Sequence, residues 1–334
     1  MDQNKKTLLL TGGAGFIGHH VVEGVLKNTG WNIVVLDRLD ISGNLERLQD
    51  IEIWKKEKQR VKFIWWDLKA PINEHVKKDV GQIDYIWHLA ASSHVDRSII
   101  DPLSFVMDNV VGTTNLLIYA KDNPVEKFIY FSTDEVFGPM ENGIPFKEWD
   151  RYRASNPYAA SKAGGEEMSY SFYNTYKLPI IITHTMNVFG ERQHPEKFIP
   201  LTIKKVLAGE TVLIHSDKTK TISGSRFWIH ARNVCNALLF INEKGQIGDK
   251  YNIVGEKEVS NLGMAQFIAK ILGKPLKYEM VDFHSSRPGH DLRYGLDGTK
   301  LKQMRFDYPK NFEESLTKTI RWMIDEKNQK WLYI

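Results

Sequence analysis

Residues 8–18 read LLLTGGAGFIG: three leucines, a threonine, then glycines at positions 12, 13, 15 and 18. The leucines have the look of a short buried strand, and the segment from Ile17 to Lys27 has helical spacing. The glycines therefore fill a strand-to-helix turn. Gly13, Gly15 and Gly18 satisfy G-x-G-x-x-G, while Gly12, Gly15 and Gly18 satisfy G-x-x-G-x-x-G. Such glycines let a backbone approach a pyrophosphate, which the N–H groups and dipole of the next helix then hold. Without context the same motif serves equally well as a tight packing turn.

The context favours a ligand. Asp37 ends the next apolar run, Asn32–Leu36, nineteen positions beyond Gly18. An acid there accepts hydrogen bonds from an adenosine ribose and repels a 2′-phosphate, which favours NAD over NADP. Arg38 follows directly and could instead serve a 2′-phosphate. The expected cofactor contacts are Gly12, Gly15, Phe16, Ile17, Gly18, Asp37 and Arg38. Later strand ends add Asp67 and Leu68, then Leu89, Ala90 and Ala91, whose small side chains would let a cofactor pass.

Further apolar runs at Val61–Trp65, Tyr85–Leu89, Lys127–Phe131 and Ile180–Thr183 alternate with amphipathic stretches such as Phe105–Ala120. Strand-helix alternation predicts an α/β fold, a Rossmann-type doubly wound parallel sheet with helices on both faces. After Asn187 the rhythm breaks, and helices at Leu262–Leu272 and Phe312–Ile324 stand among loops. We expect residues 1–186 to form an NAD-binding domain, rejoined by a segment near 228–255. Residues 187–334 would then form mainly a smaller, interleaved C-terminal lobe that binds substrate.

Composition removes other classes. Lys and Arg exceed Asp and Glu by 45 to 41, too small an excess for a nucleic-acid binder. One cysteine, Cys235, excludes an intramolecular disulfide and leaves no thiolate cluster for a metal, so no metal is expected. The N-terminal apolar run is too short for a signal peptide, and no stretch approaches the ~18 apolar residues of a membrane span. The expectation is a soluble, cytoplasmic protein with no membrane partner.

Two further patterns carry chemistry. Tyr158 and Lys162, four apart at a helix start, project from one face. Beside a nicotinamide, an ammonium at that position would lower the phenol, so that a phenolate takes a sugar hydroxyl proton. Thr133 could hydrogen-bond the same hydroxyl. FSTDEVFG (131–138) sets Asp134 beside Glu135 at the end of an apolar run. Neighbours in an extended strand face opposite ways, so the two acids should sit on the turn beyond it, where ligands bind in open α/β sheets. They are either turn residues in water or a proton-transfer pair.

TGGAGFIG, HLAA, STDEVFG and YAASK together resemble the extended short-chain dehydrogenase/reductases that act on nucleotide sugars. Residues 34–48, 88–99, 132–138, 187–200 and 287–297 narrow the resemblance to nucleotide-sugar 4,6-dehydratases, and most closely to the dTDP-glucose 4,6-dehydratase family. This resemblance implies that Tyr158 takes the C4 hydroxyl proton, Glu135 the C5 proton, and Asp134 protonates the departing C6 hydroxyl. The substrate implied is an NDP-glucose, dTDP- or UDP-glucose first. It also implies substrate contacts at Ser93, Thr133, Asn187, Lys197, Arg226, Arg287 and His290. Ser92 stands where these enzymes usually carry Glu, ERQHPEKF replaces an aromatic segment, and Phe227 and Asn233 replace acids, which leaves the base open. A nucleotide-sugar 4-epimerase, a dehydratase for another NDP-hexose and a non-catalytic NAD-binding module are the alternatives. Apolar and aromatic residues in Phe105–Ala120 and Tyr158–Tyr176, with Tyr170, Phe172 and Tyr173 close together, suggest a homodimer through four helices.

Overall fold

The structure is a computed structural model that describes residues 5–140, 143–282, 292–309 and 311–333. The strands, in chain order, are β1 (Thr7–Thr11), β2 (Asn32–Asp37), β3 (Val61–Trp65), β4 (Tyr85–His88), β5 (Lys127–Thr133), β6 (Ile180–Thr185), β7 (Asn187–Phe189), β8 (Val212–Ser216), β9 (Ser225–His230), β10 (Lys250–Ile253), β11 (Lys257–Ser260) and β12 (Tyr278–Asp282). Seven of them form one sheet in the order β10-β6-β5-β4-β1-β2-β3, every neighbouring pair parallel.

The continuous apolar runs exist because this sheet is covered on both faces. Leu8, Leu10, Val35 and Trp87 pack on one side with Val21 and Val25 of the helix Phe16–Asn28. Leu9, Val34, Leu36 and Ile86 pack on the other with Leu116 and Leu117 of the helix Gly112–Asp122. Strand order reverses at β1, which lies between β2 and β4. A crevice opens at the strand C-termini on either side of such a switch point.

The six strands expected up to residue 183 all form, with β5 and β6 running two residues further, to Thr133 and Thr185. The helix expected over Phe105–Ala120 runs as Pro102–Val106, a wider π turn Met107–Val111, and Gly112–Asp122. After Asn187 the chain builds two small sheets, β11-β9-β7 and β12-β8. The helices Phe198–Ala208, Asn261–Leu272 and Phe312–Ile324 enclose a second core around Phe189, Ile203, Trp228 and Leu316. The strand β10 returns from this region to extend the large sheet beside β6.

One buried ionic cluster ties the long helix Pro157–Tyr176 to that added edge. Glu166 is fully buried and lies 3.1 Å from His184 of β6 and 3.0 Å from Lys250 of β10. The Tyr152 hydroxyl also donates to it. Burial alone would raise the carboxyl, but His184 and Lys250 hold it below its ordinary value. Glu166→Ala should strand the Lys250 ammonium and destabilise the protein by roughly 3–5 kcal/mol. Urea unfolding measures this, and a loss of a few tenths would mean that the cluster is solvated.

Candidate active site

Gly12 leaves β1 with φ +73°, and a Cβ there would lie 2.8 Å from the Ala90 nitrogen at the end of β4. A Cβ on Gly18 would lie 2.0 Å from the Gly12 carbonyl oxygen. Gly15 is the N-cap of the first helix. The turn is thus pressed against the neighbouring strand end with room for backbone only, and the helix N-terminus opens into the crevice. This cradle fits a dinucleotide pyrophosphate.

Asp37 ends β2 at the crevice, its oxygens accepting from Ala14 N at 3.0 Å and Leu39 N at 2.9 Å. Burial raises its carboxyl, and those two donors oppose the shift. Arg38 is already committed. Its guanidinium donates to both oxygens of Asp108, at 2.5 and 2.8 Å, and to Asp40 at 2.6 Å, with Asp67 at 3.6 Å. Three carboxylates around one arginine make a poor home for a 2′-phosphate. Phe16, Ile17, Asp67, Leu68, Leu89, Ala90 and Ala91 line the same cleft.

Thr133, Asp134, Glu135, Tyr158 and Lys162 meet in that cleft at the end of β5. A short 3₁₀ turn, Asp134–Phe137, follows the strand, so the two acids are indeed off the strand. The Thr133 hydroxyl donates to Asp134 Oδ1 at 3.1 Å and accepts from the Glu135 N–H at 3.4 Å. The other Asp134 oxygen, Oδ2, is buried and has no hydrogen-bond partner among the described residues. Burial, then the neighbouring Glu135 charge, pushes the Asp134 carboxyl up to about 7.

The Tyr158–Lys162 pair departs from expectation. Burial, then Glu135, raises the Tyr158 phenol well above its ordinary value, and only the Thr133 hydrogen bond opposes this. The Lys162 amine instead donates to the Phe131 carbonyl at 2.7 Å and sits 4.4 Å over the Tyr130 ring. Burial brings it down to about 7, and it does not figure among the groups that shift the phenol.

On the substrate side Ser93, Asn187 and Lys197 line the cleft, and Arg226 does not. Its guanidinium turns to the carbonyls of Ser225 and Leu292, at 2.7 and 2.6 Å, and stacks on Tyr294 at 4.7 Å. Arg287 and His290 lie outside the described residues. Sequence reading missed Asp108 and Asn109, which the π turn presents to the site. Asp108 holds Arg38 and accepts from Ser92 at 2.6 Å, while Asn109 donates to Ser161 at 2.9 Å. No local signal marks these partners. Asn156 was also missed, although Asn before Pro157 is a legible helix start.

A glycine cradle, an acid at the end of β2 and a buried tyrosine–lysine pair are the marks of a nicotinamide-dependent protein. The chain belongs to the NAD dependent epimerase/dehydratase family, whose match covers residues 8–254, and its cofactor is NAD. It is 36% identical to a dTDP-glucose 4,6-dehydratase of Neisseria gonorrhoeae over 98% of each chain. A namesake from Escherichia coli is also 36% identical, over 96% of this chain and 94% of that one. Among solved structures, a dTDP-glucose 4,6-dehydratase from Streptomyces venezuelae with NAD bound superposes with TM-score 0.87 at 33% identity, covering 98% and 99% of the two chains. A Thermus thermophilus UDP-glucose 4-epimerase in complex with NAD gives 0.84 at 27%, covering 94% and 98%. Among the described residues no cluster of His, Cys, Asp and Glu could hold a metal, and no helix is long and apolar enough to cross a membrane.

The raised Asp134 carboxyl has a stability consequence. Its native value, about 7, exceeds the ordinary 3.8, so the native state holds the proton more tightly than the unfolded chain. Stability is therefore lost as pH rises from about 4 through about 7, and the cost is fully present above that window. Asp134→Asn cannot ionise. Relative to wild type its unfolding free energy should gain nothing from this source at pH 4 and increasingly more towards pH 8, where the gain is on the order of 4 kcal/mol. A gain independent of pH would show that Asp134 is not the titrating group.

Proposed function

We propose that the protein is a nucleotide-sugar 4,6-dehydratase, a hydro-lyase that converts an NDP-glucose to NDP-4-keto-6-deoxyglucose and water. The observation that carries this reading is the adjacent pair Asp134 and Glu135 in the cleft beside Thr133, Tyr158 and Lys162. A 4-epimerase needs no second acid, whereas loss of water needs both a base and an acid. An Asp134 carboxyl near 7 with an unsatisfied oxygen suits the acid.

In this reading the glycine turn and Asp37 hold NAD, and the lobe built largely from residues 187–334 holds the nucleotide. Residues 1–186, with 228–255, form the cofactor domain. Ser93, Asn187 and Lys197 contact the substrate; Arg226 would have to turn from its present carbonyl partners to do so. Bound NAD supplies the hydride acceptor for C4 and returns the hydride to C6. Thr133 orients the C4 hydroxyl and Tyr158 takes its proton. The free protein holds Tyr158 as the phenol, so the phenolate must form in the loaded complex. The 4-keto group then acidifies C5–H, Glu135 removes that proton, and Asp134 protonates the C6 hydroxyl as it leaves as water; Glu135 returns the proton to C5 as C6 takes back the hydride. Lys162 keeps its orientation through Phe131 O.

Incubation with dTDP-, UDP-, CDP- and GDP-hexoses should give, from at least one, a product lighter by one water. A product of unchanged mass would favour the epimerase, and binding without turnover a non-catalytic module. Glu135→Gln should leave C4 oxidation intact and slow C5 deuterium exchange by ~10²–10⁴-fold. Near-wild-type dehydration by this variant would make the pair a structural turn.

We also infer a homodimer. Of the three aromatics first expected on that face, Phe172 is buried in the core, while Tyr170 and Tyr173 are half-buried, Tyr170 against Trp149. Ile100, Leu103, Val106, Met107, Ile118 and Tyr176 are exposed instead, on and next to the same helices. Such a cluster suits an isologous four-helix contact. Light scattering at micromolar concentration should return twice the 38.6 kDa chain mass, and a monomer would end the idea. The composition favours a cytoplasmic location.

A further inference from the structure

Asn156 stands just before the helix that carries Tyr158 and Lys162, and it is 5% exposed. Its side-chain oxygen caps that helix, accepting from Ala159 N at 2.8 Å. Its backbone carbonyl accepts from Ala160 N at 3.0 Å. With the oxygen so engaged, the orientation of the amide is settled by the network, and its NH₂ group donates to Glu135 Oε2 at 3.1 Å. Helix capping alone needs only the oxygen. Ser and Asp cap helices as well as Asn does, but neither brings an amide donor to a carboxylate.

We propose that Asn156 is a positioning residue for the dehydration half of the reaction: its amide fixes one oxygen of Glu135 so that the other meets the C5 proton. The inference rests on the 4,6-dehydratase reading. The geometry explains why one side chain should serve both halves of the site. Through its oxygen Asn156 sets the first turn of the helix, two residues before Tyr158. Through its nitrogen it reaches Glu135, twenty-one residues earlier in the chain. The C4 and C5 bases are thereby held at a fixed separation across one buried amide. Glu135 lies beyond a strand on a one-turn 3₁₀ element, so the Asn156 amide ties its carboxylate to a separate helix.

The test uses the full-length enzyme with NAD and the NDP-hexose that wild type dehydrates, and compares Asn156→Ser with Asn156→Asp. Both variants keep a cap, so the melting temperature of Asn156→Ser should stay near wild type, while that of Asn156→Asp falls as the new carboxylate ionises beside Glu135. Reduced-nicotinamide absorbance in a single turnover should form at a rate within about twofold of wild type, and KM should hold. Exchange of C5–H with solvent deuterium should fall roughly 10- to 100-fold, as expected when a catalytic group is displaced by a fraction of an ångström to an ångström. Asn156→Asp should be the slower of the two, because it sets a second carboxylate against Glu135. Wild-type exchange in both variants would leave Asn156 a helix cap and overturn the proposal. So would a parallel fall in C4 oxidation and C5 exchange, which would mean that the whole helix start had moved. If wild type releases no water from any NDP-hexose, the dehydratase reading falls and this role with it.

Discussion

Asp134, Tyr158 and Lys162 are all withdrawn from water at the end of β5, and burial is the largest influence on each. It drives all three in the same chemical direction, towards the neutral form: the acid and phenol up, the amine down. A site built this way holds its protons loosely enough to exchange them near neutrality. Asp134 and Lys162 both lie near 7. Among the described residues Thr133 is the one group opposing the rise of the Tyr158 phenol. A charge brought into the cleft by a bound ligand would change that balance.

The same degree of burial gives the opposite result a short distance along the same helix. Glu166 is as deeply enclosed as Lys162, yet His184 and Lys250 hold it towards its charged form. The difference is pairing. Where a buried group meets a counter-charge within 3.0–3.1 Å, it becomes a fixed structural ion; where it meets a carbonyl or nothing, it is left free to titrate. Arg38 follows the structural pattern. Held by Asp108 and Asp40, its guanidinium is already paired and poorly placed for a phosphate.

Much of this was legible in the sequence because its cause is local. LLLTGGAGFIG shows strand, turn and helix within eleven residues, and the steric demands on Gly12 and Gly18 follow from contacts with the adjacent turn and strand end. The buried runs in β1, β2 and β5 read as strands because a parallel sheet covered on both faces needs apolar residues at every position. Contacts across long separations left no such trace. Arg38 meets Asp108 seventy residues on, and a π turn that no periodicity foretells delivers it. The Tyr–Lys spacing was equally plain, but spacing fixes only a helical face. It could not show that the Lys162 amine would donate to the Phe131 carbonyl.

The two acids show how a small backbone device resolves a conflict. On β5 itself, neighbouring side chains would alternate between the faces of the sheet, and one acid would enter the apolar core. Thr133 ends the strand with its hydroxyl accepting from Glu135 N, and the 3₁₀ turn that follows brings both carboxyls to the cleft. The same hydroxyl donates to Asp134 Oδ1. One threonine thus caps the turn, orients the acid, and stands beside the phenol. The two carboxyls remain unequal because their surroundings are. Asp134 is buried with one oxygen unsatisfied among the described residues, while Glu135 is less enclosed and takes an amide donor from Asn156. Unequal environments for adjacent like groups push their protonation states apart, the asymmetry that the proposed division into acid and base requires.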